Sequence, residues 1–177
     1  MPVIVVTRLR LRDSALLDEF FTDAVAAIEQ ATKSEGNLGA DALADADNAW
    51  WSVTAWQERR LMQAYVDSEP HLGISARLDH YCDEATFVDW EQARPALPDW
   101  QTSWRHLTAD GKAADLTHAS TANQTRDFPR PSSRLPAFPE VPALGQKVAI
   151  PEMSDPAGMM VAWRGRGPAS RTGAWLG

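Results

Sequence analysis

His71 is the residue in this chain best suited to moving a proton, because an imidazole titrates near neutrality and can accept from a phenolic hydroxyl or ligate iron. Steps of four, three and four lead from His71 to Ser75, Leu78 and Cys82, which a continuous helix would place on one stripe. A helix-end histidine that caps backbone or faces water is the plainer alternative. Arg8 sits on a strand, on the side away from Val5 and Thr7, from which it could reach into a cavity and hold an anionic or enolate oxygen. Pairing with Glu58 or another surface carboxylate is its alternative. Trp51, Trp56 and Tyr65 could stack on a flat aromatic ligand or simply fill a core.

Other chemistries lack their residues. His80 and Cys82 flank Tyr81, so their side chains diverge around a helix, and no zinc-like or two-histidine-one-carboxylate spacing occurs. There is no glycine-rich phosphate loop and no nucleophile elbow, so a nucleotide cofactor is not expected. A net charge of −7 and a pI near 5.0 argue against a nucleic-acid partner. The single cysteine, Cys82, excludes an intramolecular disulfide and fits a reducing compartment. MPVIVVTRLRLRD becomes charged too soon for a signal peptide, and no stretch approaches the roughly 18 to 20 apolar residues of a membrane span. The expectation is a cytoplasmic protein with no membrane partner.

The elements that must carry these residues are legible from periodicity. Val3 to Arg10 alternates as a strand, and Leu17, Phe20, Phe21, Ala24, Ile28 and Ala31 follow at helical spacing, ending near Gly36. Asn37 to Asp45 and Trp50 to Trp56 read as a hairpin joined through Asp47-Asn48. Glu58 to Asp67 reads as a helix. Pro70 interrupts it and opens a second segment, capped by Ser68 or Glu69, that runs to about Tyr81; Ala85 to Trp90 is the last strand. The order β-α-β-β-α-β is the ferredoxin-like arrangement, an α+β fold with an antiparallel sheet and both helices on one face. Trp50 and Trp51 fall on opposite faces, so the second face is also apolar, and a homodimer packed face to face is expected to cover it.

Residues 1–92 therefore form the domain. Residues 93–177 are expected to be a Pro-rich extension with a short helix around Trp100 to Leu107, wrapping the domain or its partner. Eight of twelve prolines lie between Pro129 and Pro168, a composition that disfavours helices and central strands. Short extended pieces are expected at Lys147 to Ile150 and Met159 to Trp163.

The run WWSVTAWQERRLMQAYVDSEPH resembles the signature region of the antibiotic biosynthesis monooxygenase superfamily. Its strand ends in an aromatic and polar residues, here Trp56-Gln57-Glu58. A helix with an aromatic follows, here Tyr65, and then a Ser-x-x-His-like step, here Ser68 to His71. The continuation LDHYCDEATFVDW is similar to an uncharacterised subgroup and, more distantly, to the spheroidene monooxygenase type. The resemblance implies a dimeric α+β barrel. In cofactor-free members a pocket asparagine, tryptophan and tyrosine act, and Asn37, Trp51 and Tyr65 are their loose equivalents. In haem-degrading members the iron ligand lies about a turn beyond His71, where this chain has Ser75.

The reading that follows is oxidation of a small aromatic or polyketide-like molecule in secondary metabolism, cofactor-free or haem-assisted. His71, Arg8 and Asn37 would be catalytic, with Trp51, Trp56, Tyr65, Ser75 and Cys82 around the substrate and His71 the ligand if haem is bound. The rival from another class is a non-catalytic binding or accessory protein whose pocket is filled by its own side chains.

Overall fold

The computed structural model describes residues 1–132 and the short strand at 135–136. The extended pieces expected at Lys147 to Ile150 and Met159 to Trp163 lie outside the described residues. The chain runs β1 (Val3–Leu11), α1 (Leu17–Lys33), β2 (Asn37–Ala44), β3 (Ala49–Trp56), α2 (Arg59–Val66), α3 (His71–Ser75), α4 (Leu78–Tyr81) and β4 (Cys82–Glu91). It continues through α5 (Trp100–Asp110), β5 (Lys112–Ala113), α6 (Thr121–Thr125) and β6 (Leu135–Pro136). All strand pairs are antiparallel, in the order β5-β4-β1-β3-β2-β6. The four central strands with α1 to α4 make the expected ferredoxin-like α+β unit.

Local chemistry explains the boundaries. Asp47 and Asn48, both at φ 57°, are the central residues of the β2–β3 turn, and left-handed backbone at both positions suits the twist of a tight hairpin. Gly36, at φ 76°, ends the α1–β2 connection where an added Cβ would collide with Leu61, so a bare backbone lets α2 close over this corner. Asp99 caps α5 by accepting from Thr102 N–H at 2.7 Å.

The helical stretch before β4 is not one helix with a single stripe. It breaks at Ala76 and Arg77, where Arg77 N–H donates to Ile74 O at 3.0 Å in a tighter turn. The break has a packing cause. His71 and Ser75 belong beside Tyr65, whereas Leu78 and Tyr81 are needed in the Phe20 cluster, and Arg77 holds the bend by pairing with Glu19 and Asp23 of α1. Pro70 stands at the start of α3, and Glu69 beside it accepts from the Gly73 N–H in the first turn at 3.2 Å, whereas the Ser68 hydroxyl turns back to Tyr65 O and Gln30.

The two faces of the sheet carry separate cores. Toward α1 to α4 lie Val3, Leu11, Trp50 and Trp56, packed with Phe20, Phe21, Ala31, Met62 and Tyr81. The other face, with Ile4, Val6, Trp51, Val53, Ala55 and Val88, was expected to await a second copy of the chain. It is instead covered by the chain itself: Leu107 of α5 and Phe128 are buried on it, with Leu97, Trp100 and Trp104 packed around them. Trp100, Trp104 and Leu107 recur at i, i+4 and i+7, so one stripe of α5 faces the sheet. The exposed apolar face that motivated a face-to-face homodimer is therefore absent.

Candidate functional site

A cavity of about 60 Å³ lies between the sheet and α2–α3. Val5 and Thr7 of β1 and Ser52 and Thr54 of β3 form its floor, and Trp56, Met62, Tyr65, Val66 and His71 enclose it. The floor follows from register. Thr7 pairs with Ser52 and Val5 with Thr54, and side chains two apart on a strand share a face. Three hydroxyls on a face otherwise built to bury apolar groups, Thr7, Ser52 and Thr54, are the sequence signal for this site.

The wall is a run of three rings. Trp56 stacks on Tyr65 with centroids 5.0 Å apart and 28° between planes, and Tyr65 meets His71 at 4.6 Å and 55°. Trp56 Nε1 donates to Thr54 Oγ1 at 2.9 Å, which fixes the indole against the floor. Tyr65 donates its hydroxyl to Ala27 O at 3.3 Å, and burial holds its phenol well above the ordinary range, so it stays neutral.

His71 has the properties of a proton acceptor. Its Nδ1 lies 3.3 Å from Val66 O and 3.3 Å from Ser75 Oγ. A carbonyl can only accept, so the contact with Val66 requires the hydrogen on Nδ1 and leaves the Nε2 lone pair open in the neutral ring. Burial pushes the imidazole below its usual pKa of 6.5, partly opposed by the Val66 carbonyl, so the ring is neutral at pH 7.

Of the residues expected to cooperate, the fold brings together His71, Ser75, Tyr65 and Trp56. Ser75 touches the imidazole and does not line the cavity. Arg8 projects from the opposite face of β1 and cannot hold an oxyanion in this cavity. It is 3% exposed, paired with Glu84, with its guanidinium 4.6 Å from the Phe128 ring and 5.6 Å from Trp51. Arg10 shares Glu84 at 3.0 Å and is bidentate on Asp83 at 2.7 and 2.8 Å, and Ser120 donates to Glu84 at 2.9 Å.

Trp51 is on that same far face, its Nε1 donating to Asp45 at 3.3 Å, and takes no part in the cavity. Cys82 is fully buried in the Phe20 cluster, where desolvation pushes its thiol up to about 12, so it is a packing group. Asn37 pairs with Trp56 across the β2–β3 ladder but does not line the cavity, and its buried Nδ2 has no hydrogen-bond partner among the described residues. Gln30 of α1 contacts His71 directly: its Oε1 accepts from the His71 N–H at 2.8 Å.

Haem does not fit these residues. A porphyrin is several times larger than the cavity, and Ser75 stands one turn beyond His71. Among the described residues no group of three or more His, Cys, Asp or Glu could hold a metal ion, and no helix is long and apolar enough to cross a membrane.

No protein-family model matches the chain, and no curated protein does. Solved structures similar to it include a conserved protein from Methanosarcina mazei, at 16% identity and TM-score 0.48, covering 52% of this chain and 93% of that one. A variant form of SnoaB, a cofactor-independent oxygenase from Streptomyces nogalater, aligns at 14% identity and TM-score 0.46, over 55% of this chain and 98% of that one. A protein described as an antibiotic biosynthesis monooxygenase aligns at 12% identity and TM-score 0.47, over 52% and 99%. Each neighbour is nearly spanned while about half of this chain is not, and since one fold hosts many reactions, function has to be argued from the cavity.

Proposed function

We propose that this protein oxidises a small phenolic or polyketide-like aromatic molecule in a monooxygenase-type reaction without a cofactor, in the cavity beside His71. The observation that carries the reading is a neutral, desolvated imidazole with its hydrogen tied to Val66 O, set against an aromatic wall above a hydroxyl floor. Nε2 of His71 takes the phenolic proton. The resulting phenolate is electron-rich enough to reduce dioxygen, and recombination gives a hydroperoxide that loses water to leave a carbonyl, so one oxygen atom enters the substrate and the other leaves as water. Thr7 and Ser52 on the floor are the groups available to hold the developing oxyanion. Phe87, 42% exposed and directly across from Thr7 on the same face, offers an aromatic rim on which the rest of a ligand can rest.

Ordinary small-molecule sites measure ~300–1,000 Å³. The cavity here is about 60 Å³, so a ring enters only if Met62 and the α2–α3 segment yield. That small volume favours a second reading, a non-catalytic binding or accessory protein in which Tyr65 and Met62 already fill the pocket. Purified full-length protein decides between them. Oxygen uptake with an anthrone or naphthol that disappears in His71→Ala supports the enzyme. No uptake, with no ligand-induced change in Trp56 fluorescence, supports the second reading. The proposed setting is the cytoplasm. A homodimer, if formed, would meet through an edge or the helix surface, since the far sheet face is closed; light scattering across a dilution series tests it.

A further inference from the structure

Gln30 of α1 reaches into the turn between α2 and α3. Its Oε1 accepts from His71 N–H at 2.8 Å, while its Nε2 donates to the Ser68 hydroxyl at 2.7 Å and lies 3.2 Å from Ser68 O and 3.3 Å from Tyr65 O. Where one helix stops and another starts, carbonyls without partners face N–H groups without partners. A primary amide carries a donor and an acceptor on one carbon, so this side chain serves both ends of the break at once. The need is local: Pro70 at the start of α3 has no side chain to cap with and no N–H to offer, and Glu69 reaches only the Gly73 N–H, which leaves the His71 N–H to Gln30.

We propose that Gln30 is a positioning residue: by tying the last turn of α2 and the first N–H of α3 to α1, it holds the His71 ring in the cavity wall. The inference rests on the reading of His71 as the proton acceptor. Gln30 touches the backbone of both Tyr65 and His71, the two residues whose rings meet at 4.6 Å, so it sets their spacing through the main chain. Val66 O and Ser75 Oγ then choose which ring nitrogen carries the hydrogen. Tyr65 is the titratable group in ring contact with His71 and burial keeps it neutral, while the nearby Glu69 carboxylate accepts from Gly73 N–H at 3.2 Å. Desolvation is the leading influence on the imidazole, so whatever moves the ring out of the wall returns it toward ordinary titration.

The test uses the full chain and Gln30→Met, which keeps the side-chain length and loses both hydrogen-bonding functions. Imidazole nitrogen and carbon shifts of His71 are followed by NMR against pH. In the native protein the ring should titrate below 6.5 as the Nδ1–H tautomer. In Gln30→Met, with cooperative unfolding retained, the titration should move up toward the ordinary value and the tautomers should mix. An unchanged titration and tautomer in the variant overturns the proposal. Should the variant not fold, amide exchange in the native protein decides. The His71 N–H, whose partner is Gln30, should exchange at least tenfold more slowly than an open amide, and free exchange overturns the proposal. Neither readout needs turnover. A protein that shows these shifts but consumes no oxygen retains the Gln30 role and loses the oxidation reading, and the reverse result separates them equally well.

Discussion

The two faces of this sheet are built from the same strands and treat polar groups in opposite ways. On the face toward α2 and α3, Thr7, Ser52 and Thr54 leave a small polar-floored hole closed by rings. On the far face the charges are deeper than any hydroxyl of the cavity, yet Arg8 and Ser120 both bond to Glu84 under Phe128. The difference teaches that burial and reactivity are separate properties. Arg8 is among the most buried charged groups in the chain and is structural, whereas half-buried His71 keeps an open nitrogen.

If the far face is a closed core, breaking it should cost most. Glu84→Ala strands the Arg8 guanidinium without its partner and should lower stability by ~3–5 kcal/mol, read by denaturant unfolding. Loss of under about 1 kcal/mol would mean that Arg8 finds water and that this face is not closed. Leu107→Ala removes the α5 side chain that is wholly buried against β1 and β4, with an expected loss of ~2–5 kcal/mol.

The cavity face should answer in activity and pH dependence instead. His71→Ala should abolish oxygen uptake while shifting the unfolding midpoint little, because the ring is only partly buried. The sign of the pH effect follows from a depressed folded-state pKa. Between the folded value and 6.5 the unfolded chain binds the proton and the folded one does not, so His71 makes stability fall as pH drops below 6.5. That component of the slope should vanish in His71→Phe, and an unaltered profile would show the ring to be solvated. The smallest effect is expected from Ser52→Ala, within about 0.5 kcal/mol of the native protein, because the hydroxyl faces open space.

Much of the fold was legible because it rests on short-range regularities. Alternation from Val3 to Arg10, the α1 stripe through Phe20 and Phe21, and the left-handed pair Asp47-Asn48 each follow from residue type and local geometry. What escaped depends on long-range placement. The stripe from His71 to Cys82 looked continuous because periodicity cannot show that Tyr81 is drawn toward Phe20 while His71 is drawn toward Tyr65. Arg8 could be put on the correct strand face, but which face held the cavity depended on which helices covered it. Trp100, Trp104 and Leu107 carried the helical spacing of a covering element, and their meaning became visible only once the sheet beneath them was in place. The candidate site was half legible: His71, Tyr65 and Trp56 by type, but not the hydroxyl floor or Gln30.

Closing the far face with α5 has a thermodynamic corollary. A lid tethered to its own sheet meets it at an effective concentration fixed by the eight linking residues, 92–99, on the order of millimolar or above, however dilute the sample. The melting temperature of this half of the molecule should therefore be indifferent to protein concentration, as that of a layer shared between two molecules never is.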